Sequence, residues 1–331
     1  MSGWFDGIVG HARVISLLTR EIEEPANAYL FVGATAVGKA TVARRFATGL
    51  LCPTADPTCN ICRRAREGNH AALIPVVPEG RATLGVEQAR AVVSQAAMSP
   101  VEGGRKVFLF EEAGVMTDQA ANAILKTLEE PTPTTVFILV AEAEDELPAT
   151  VASRCRTVHF GRVSDDELVA HLSEEGMDEE QATELARVSG GRPGLAMSLS
   201  RSPEAAAFRQ LWLSIPTRVT PRPGDAQRLA EEVLAALAPM VTEAAGEDED
   251  KERRARAERR AELALLTSGL EILASWYTDS ASLQHGGPVR NTDVPLADLA
   301  EIPPAKAVEN AEAVLDAMVD LQLNLRRQLL L

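Results

Sequence analysis

Aromatic residues are scarce in this sequence, with 8 Phe, 3 Trp and 2 Tyr among 331 residues. Ala, Leu, Glu and Arg are plentiful instead, a mixture that favours helix. No apolar run reaches about 18 residues, so no membrane span is expected. Met1-Ser2-Gly3-Trp4-Phe5-Asp6 lacks the basic stretch and apolar run of a secretory leader, which points to the cytoplasm. There are four cysteines, and they do not favour a disulfide framework. They suit a reducing compartment, and the Cys-x-x-Cys pair Cys59 and Cys62 suits a metal. Positive charge is also short: 33 Lys and Arg face 48 Asp and Glu, a net charge of −15. Such a surface repels phosphate, so the chain alone is not expected to bind DNA strongly. A DNA role must come through a local basic patch or through partners. No internal repeat is visible, and the length calls for two or three domains.

What is present begins with alternation. Ala28–Val32, Lys106–Phe110 and residues 135–140 read as buried strands. Amphipathic stretches at 86–97 and 120–128 lie between them. Strands alternating with helices predict a mostly parallel sheet covered on both faces, an α/β domain spanning 1–161. From 162 the pattern changes. Ser164 with Glu167 forms a capping box, and Val169, Leu172, Ala182, Leu185, Ala186 and Val188 follow at helical spacing. Gly190-Gly191-Arg192-Pro193-Gly194 then interrupts before another short helix. Residues 162–205 are expected to be a small helical domain. Residues 206–331 carry no strand pattern and are expected to be all-helical. Helices are predicted at 227–241, 263–276 and 304–330, with a loop at 277–295. The mixed charge run 247–254 reads as a solvated helix face.

Chemistry concentrates after the first strand. Gly33-Ala34-Thr35-Ala36-Val37-Gly38-Lys39-Ala40-Thr41 stands between a strand and a helix, the context of a phosphate-binding Walker A loop. Backbone amides and the helix N-terminus would point at phosphates, Lys39 would add charge, and Gly33 and Gly38 allow close approach. The residue after the lysine should be Ser or Thr, whose hydroxyl holds Mg²⁺. Here it is Ala40, and Thr41 is turned about 100° away along the helix. The strand Lys106–Phe110 ends in Glu111-Glu112, where an Asp-Glu pair would hold the metal and polarise water. Glu111 is one methylene too long. Glu142 follows the third strand, where a Thr or Asn would sense the γ-phosphate, and an acid there repels it. The loop can accept ATP, but the site is not built for turnover.

Three strings carry a family resemblance: Asn27-Ala28-Tyr29-Leu30-Phe31-Val32-Gly33, Ala121-Asn122-Ala123-Ile124-Leu125-Lys126-Thr127-Leu128-Glu129-Glu130-Pro131, and Ser153-Arg154-Cys155. Over about residues 5–200 the chain resembles the bacterial clamp-loader subunits of the AAA+ family. Lys39-Ala40-Thr41, the altered acids and the segment Pro78-Glu79-Gly80 before Gly85-Val86-Glu87-Gln88-Ala89-Arg90 resemble the delta-prime type. The ATP-hydrolysing tau/gamma type normally has Thr or Ser after the lysine. The resemblance implies an AAA+ core, a helical lid and a C-terminal collar. It implies a hetero-oligomeric loader with tau/gamma and delta subunits, acting on the sliding clamp and primer–template DNA. It further implies that Arg154 is an arginine finger reaching a neighbour's ATP, and that Arg192 occupies the sensor-2 place. No triad of metal-binding acids suggests polymerase activity, so a nucleotidyltransferase label would belong to the DNA polymerase III holoenzyme. A tau/gamma-like motor is the enzymatic alternative. A AAA+ scaffold outside replication would need pore loops or an effector domain, and neither is evident.

Cys52, Cys59 and Cys62 lie in an insertion at about 52–70, where the family often has a four-cysteine zinc module. The family's last cysteine falls on Ala65. A structural Zn²⁺ needs a fourth ligand. His70 is the best donor available, with Asp56 and Glu67 as alternatives.

Overall fold

The apolar runs pair side by side in the computed structural model, which describes residues 3–52, 54, 56–78, 83–220, 222, 224–245 and 251–328. Glu79 and Gly80, the start of the charge run at 247–250, and Leu329 to Leu331 lie outside the described residues. Contacts divide the chain into two units, Met1–Gly176 with Gly191–Gly194, and Met177–Gly190 with Leu195–Leu331.

The first unit holds a parallel sheet of β1 (Ala28–Val32), β2 (Leu73–Pro75), β3 (Lys106–Phe110), β4 (Thr135–Ala141) and β5 (Arg156–His159). The strand order is β2-β3-β4-β1-β5. Its helices are α1 (Ala12–Glu21), α2 (Lys39–Leu51), α3 (Asn60–Arg66), α4 (Val86–Ala96), α5 (Asp118–Glu129), α6 (Ala149–Ala152) and α7 (Asp165–Glu174). Every residue of β1, β3 and β4 is buried, because a parallel sheet is covered on both faces. Successive side chains alternate between two cores. Tyr29 and Phe31 pack with Phe46 of α2, whereas Leu30 and Val32 pack with Phe108, Phe110 and the apolar sides of α4 and α5. β1 lies between β4 and β5, so the chain leaves it toward one edge and returns on the other side. Ligands of open α/β sheets bind at the strand ends beside such a reversal. β2 escaped the sequence pattern because it is a three-residue edge strand ending in proline.

The second unit is helical: α8 (Glu179–Ser189), α9 (Pro193–Arg201, whose first residues belong to the first unit), α10 (Pro203–Arg218), α11 (Asp225–Ala245), α12 (Lys251–Gln284), α13 (Leu296–Ala300) and α14 (Pro304–Gln328). Phe208, Trp212, Leu237, Ile272 and Trp276 form its core. Gly269 lets α10 approach α12, because a methyl group there would overlap the Trp212 ring. The loop expected at 277–295 is shorter than the sequence suggested, because α12 continues through Gln284. Asp279 and Ser280 are loop-favouring residues, yet both are buried: Asp279 accepts from the Asn291 amide of the following loop at 2.7 Å, and Ser280 Oγ donates to Leu299 O of α13 at 2.6 Å.

Candidate functional site

The Walker A segment forms a turn between β1 and α2. Gly33 leaves β1 at φ 152°, and a Cβ there would lie 2.3 Å from Phe160 O, so only glycine fits. Ala36 and Gly38 take φ of 61° and 105°, left-handed conformations that turn backbone amides inward. Alanine rarely adopts this conformation, and here neighbours hold the turn. Gly194 N donates to Ala36 O at 2.9 Å, and His11 Nε2 lies 2.8 Å from Val37 O. Arg192 is two residues before Gly194 and half-buried, so the expected sensor-2 arginine lies on a segment bonded directly to the loop. The Lys39 ammonium is buried and donates to Gly33 O at 2.5 Å and Ala34 O at 2.7 Å.

Around this loop the acidic groups have partners of their own. Thr35 Oγ1 donates to Glu142 Oε1 at 2.5 Å, and Gly33 N donates to Glu142 O at 3.1 Å. Glu111 accepts two bonds of 2.5 Å from Nε and Nη2 of Arg44. This bidentate pairing raises the guanidinium pKa, the hydrogen bond to Glu111 being the main cause. Arg44 is four residues after Ala40, one helical turn along α2. A guanidinium therefore sits on the acid that would bind a metal. Glu112 is exposed beside it, and Thr41 is exposed on α2. The backbone cradle fits a phosphate. The cation machinery does not fit Mg²⁺, because position 40 has no hydroxyl and both oxygens of Glu111 are taken.

Arg154 lies at the end of α6, outside the sheet. Its neighbours anchor the turn. Cys155 is packed against the second core, and burial pushes its thiol up to about 12. Arg156 donates to Glu21 Oε1 at 2.5 Å, and the same carboxylate accepts from Tyr29 Oη at 2.8 Å. Burial and that bond raise the Tyr29 pKa. The Arg154 guanidinium is about one-third exposed, pairs with Glu129 and donates from Nη1 to Thr150 O at 2.6 Å. Two of the three resemblance strings thus meet in one ion pair.

Residues 10–164 match the family described as DNA polymerase III, delta subunit. The chain is 37% identical over 157 residues to DNA polymerase III subunit delta' of Escherichia coli, covering 45% of this chain and 47% of that protein. It is 32% identical over 203 residues to subunit delta' of Bacillus subtilis, covering 60% and 61%. It is 34% identical over 176 residues to subunit tau/gamma of Haemophilus influenzae, covering 51% and 25%.

Residues 10–164 belong to the clamp-loader subunit family.

The match spans between a quarter and about three fifths of those relatives' lengths. The matched region holds the five-stranded parallel sheet and the glycine turn after β1, and helices follow it.

Its cysteine insertion joins α2 to β2. Cys52 ends α2, Cys59 caps α3 by accepting from Cys62 N at 3.4 Å, and the three sulfurs lie within 4.8 Å of one another. Burial, with hydrogen bonds that it donates to Cys52 and Cys59, pushes the Cys62 thiol up to about 12. Burial raises the Cys52 thiol too, but bonds from Thr54, Cys62 and Cys59 outweigh this and lower it. His70, the expected fourth ligand, is not brought to this cluster. Its Nδ1 accepts from Ala72 N at 3.2 Å, and its Nε2 faces Glu102 at 3.4 Å. Desolvation lowers its pKa against the opposing charge of Glu102. Among the described residues the cluster offers three thiols, which fit Zn²⁺ by donor chemistry. Sequence reading also missed Arg44, whose only signal was its place one turn beyond Ala40, and Glu102, which pairs with Arg64 of α3 across 38 residues.

Proposed function

We propose that this clamp-loader chain is a delta-prime-type subunit. In this reading it belongs to a hetero-oligomer with tau/gamma and delta subunits that loads the sliding clamp onto primer–template DNA, and its own ATP site is weak or idle. Residues 1–161 act as the AAA+ core, 162–205 as the lid carrying Arg192, and 206–331 as the collar that joins the other subunits. Arg154 reaches a neighbour's triphosphate. A guanidinium placed there stabilises charge that grows in the transition state, an effect worth roughly 10³–10⁵ in rate in well-studied cases.

One observation carries the reading: Arg44 neutralises Glu111 beside Ala40, while Arg154 stands partly exposed at the surface. The chain's own cation site is blocked where its exported cation is presented. Zn²⁺ held by Cys52, Cys59 and Cys62 has a structural part, tying the end of α2 to α3. A loader reconstituted from this chain and its partner subunits tests the function. Arg154→Ala should lower DNA-stimulated ATP hydrolysis by at least about 100-fold per dependent site, and Lys39→Ala should leave it nearly unchanged. The reverse pattern would favour a tau/gamma-like motor, a reading kept alive by identities of similar size to both subunit types.

A further inference from the structure

We infer that Glu129 is a positioning residue for Arg154: its carboxylate fixes the plane of the guanidinium so that the remaining N–H groups face an anion outside this chain. The inference rests on the reading of Arg154 given above. The guanidinium is held at two points on two elements. Nη1 donates to Thr150 O at 2.6 Å on α6, and Nη2 donates to Glu129 Oε1 at the end of α5. A weaker contact of 3.5 Å joins Nη1 to Ser153 Oγ. A guanidinium carries five N–H donors in a rigid fork. The two strong bonds therefore leave about three donors, in the plane of the fork, uncommitted by these contacts.

The backbone beneath is equally constrained. Arg154 N donates to Val151 O at 3.0 Å, Cys155 is packed into the core behind it, and Arg156 is tied to Glu21. With the main chain fixed on both sides, the side-chain torsions are the freedom left to Arg154, and Glu129 removes much of it. Donors fixed before the reaction stabilise developing charge without reorganising when it forms. A long arginine left loose must lose that rotamer freedom at the moment of contact. Glu129 is itself well placed for this work. It is the last residue of α5, where Thr117 caps the other end and Ile124 and Leu128 bury the helix in the core. Glu130 and Pro131 follow and end the helix.

The measurement is a double-mutant cycle in the reconstituted loader, with chains carrying Glu129→Ala, Glu129→Gln, Arg154→Ala and the pair Glu129→Ala/Arg154→Ala. Thermal unfolding of each chain confirms folding, which the exposed position of Glu129 makes safe. Steady-state hydrolysis is read as kcat and KM for ATP, and binding of ADP–aluminium fluoride, a transition-state mimic, is measured at equilibrium. Glu129→Ala should lower kcat on the order of tenfold with little change in KM, and should weaken the mimic by a similar factor. Glu129→Gln keeps an acceptor oxygen and should retain most of the rate. In the Arg154→Ala background, Glu129→Ala should have no further effect. An unchanged kcat for Glu129→Ala beside a large loss for Arg154→Ala overturns the inference and leaves the finger reading standing. So does a rise in kcat, which would mean that Glu129 holds the arginine back, or an equal loss in both backgrounds. No loss for Arg154→Ala sinks the finger reading itself, and this inference with it.

Discussion

The buried Arg209 pairs with the half-buried Asp293 in the helical unit, with Arg209 Nη2 also donating to Asn291 Oδ1 at 2.7 Å. Arg209 is only 5% exposed, so each charge depends on the other for what water would otherwise supply. Removing one partner leaves the other buried and unpaired, which costs about 3–5 kcal/mol. Asp293→Ala should therefore lower the stability of this unit by about that amount in denaturant unfolding. The pH dependence follows from the same pair. Burial raises the Asp293 carboxyl, but hydrogen bonds and charge from Arg209 outweigh it and hold it below the ordinary carboxylate value. A carboxyl depressed on folding contributes stability that is fully present above its unfolded pKa of about 4 and is lost as pH falls through the folded value. Between those limits the unfolding free energy of the wild type should drop with acid, and Asp293→Asn should flatten that limb. The sequence gives no sign of this pair. Its members are 84 residues apart, and nothing local distinguishes Arg209 from any other arginine on a helix.

At the scale of elements, the phosphate loop carries its own test. Restoring the missing hydroxyl by Ala40→Thr should not by itself create Mg²⁺-dependent nucleotide binding, because Arg44 still holds both oxygens of Glu111. Ala40→Thr with Arg44→Ala frees the acid, and affinity for a fluorescent ATP analogue should then rise by about tenfold in Mg²⁺, a gain of about 1.4 kcal/mol. Equal affinities for the single and double variants would show that the ion pair does not matter. The cysteine insertion makes a second case. Native mass spectrometry of the intact chain should find one zinc. Removal by a chelator, or Cys62→Ser, should lower the unfolding temperature of the sheet-containing unit, since metal binding to a preformed site is folding free energy. These two elements differ in how legible they were. β1, β3 and β4 could be read directly, because a strand buried on both faces must be continuously apolar. The glycine turn after β1 was legible from glycine spacing, and the grouping of Cys52, Cys59 and Cys62 from Cys-x-x-Cys and one earlier cysteine. His70 was misplaced because ligand chemistry says nothing about direction, and its ring is engaged by Ala72 and Glu102 instead. The polar end of α12 looked like a loop because burial of Asp279 and Ser280 depends on residues far along the chain.

For the whole molecule the governing quantity is charge. A net −15 over 331 residues does not forbid a local basic patch, but many of the arginines are spent on acids. Arg44, Arg64, Arg154, Arg156 and Arg218 pair with Glu111, Glu102, Glu129, Glu21 and Glu232 respectively. A guanidinium already paired with a carboxylate brings little net charge to a duplex phosphate, so the usual electrostatic gain, counterion release from the duplex, is reduced. Exposed pairs of this kind contribute little to folding, about 0–1 kcal/mol each, so their larger consequence is for what the surface attracts. The isolated chain should show no saturable binding to primed DNA by fluorescence anisotropy, even near 50 mM salt, where phosphate contacts are strongest. The reconstituted loader should bind the same DNA with an affinity that falls steeply with salt, and the slope should be set by basic residues of the partner subunits. Charge-reversing Glu102 or Glu232 to Lys in this chain should leave that slope unchanged. If the chain alone binds DNA at micromolar concentration, or if those substitutions steepen the slope by about one unit per added contact, this surface touches the duplex directly and the DNA role does not pass through partners alone.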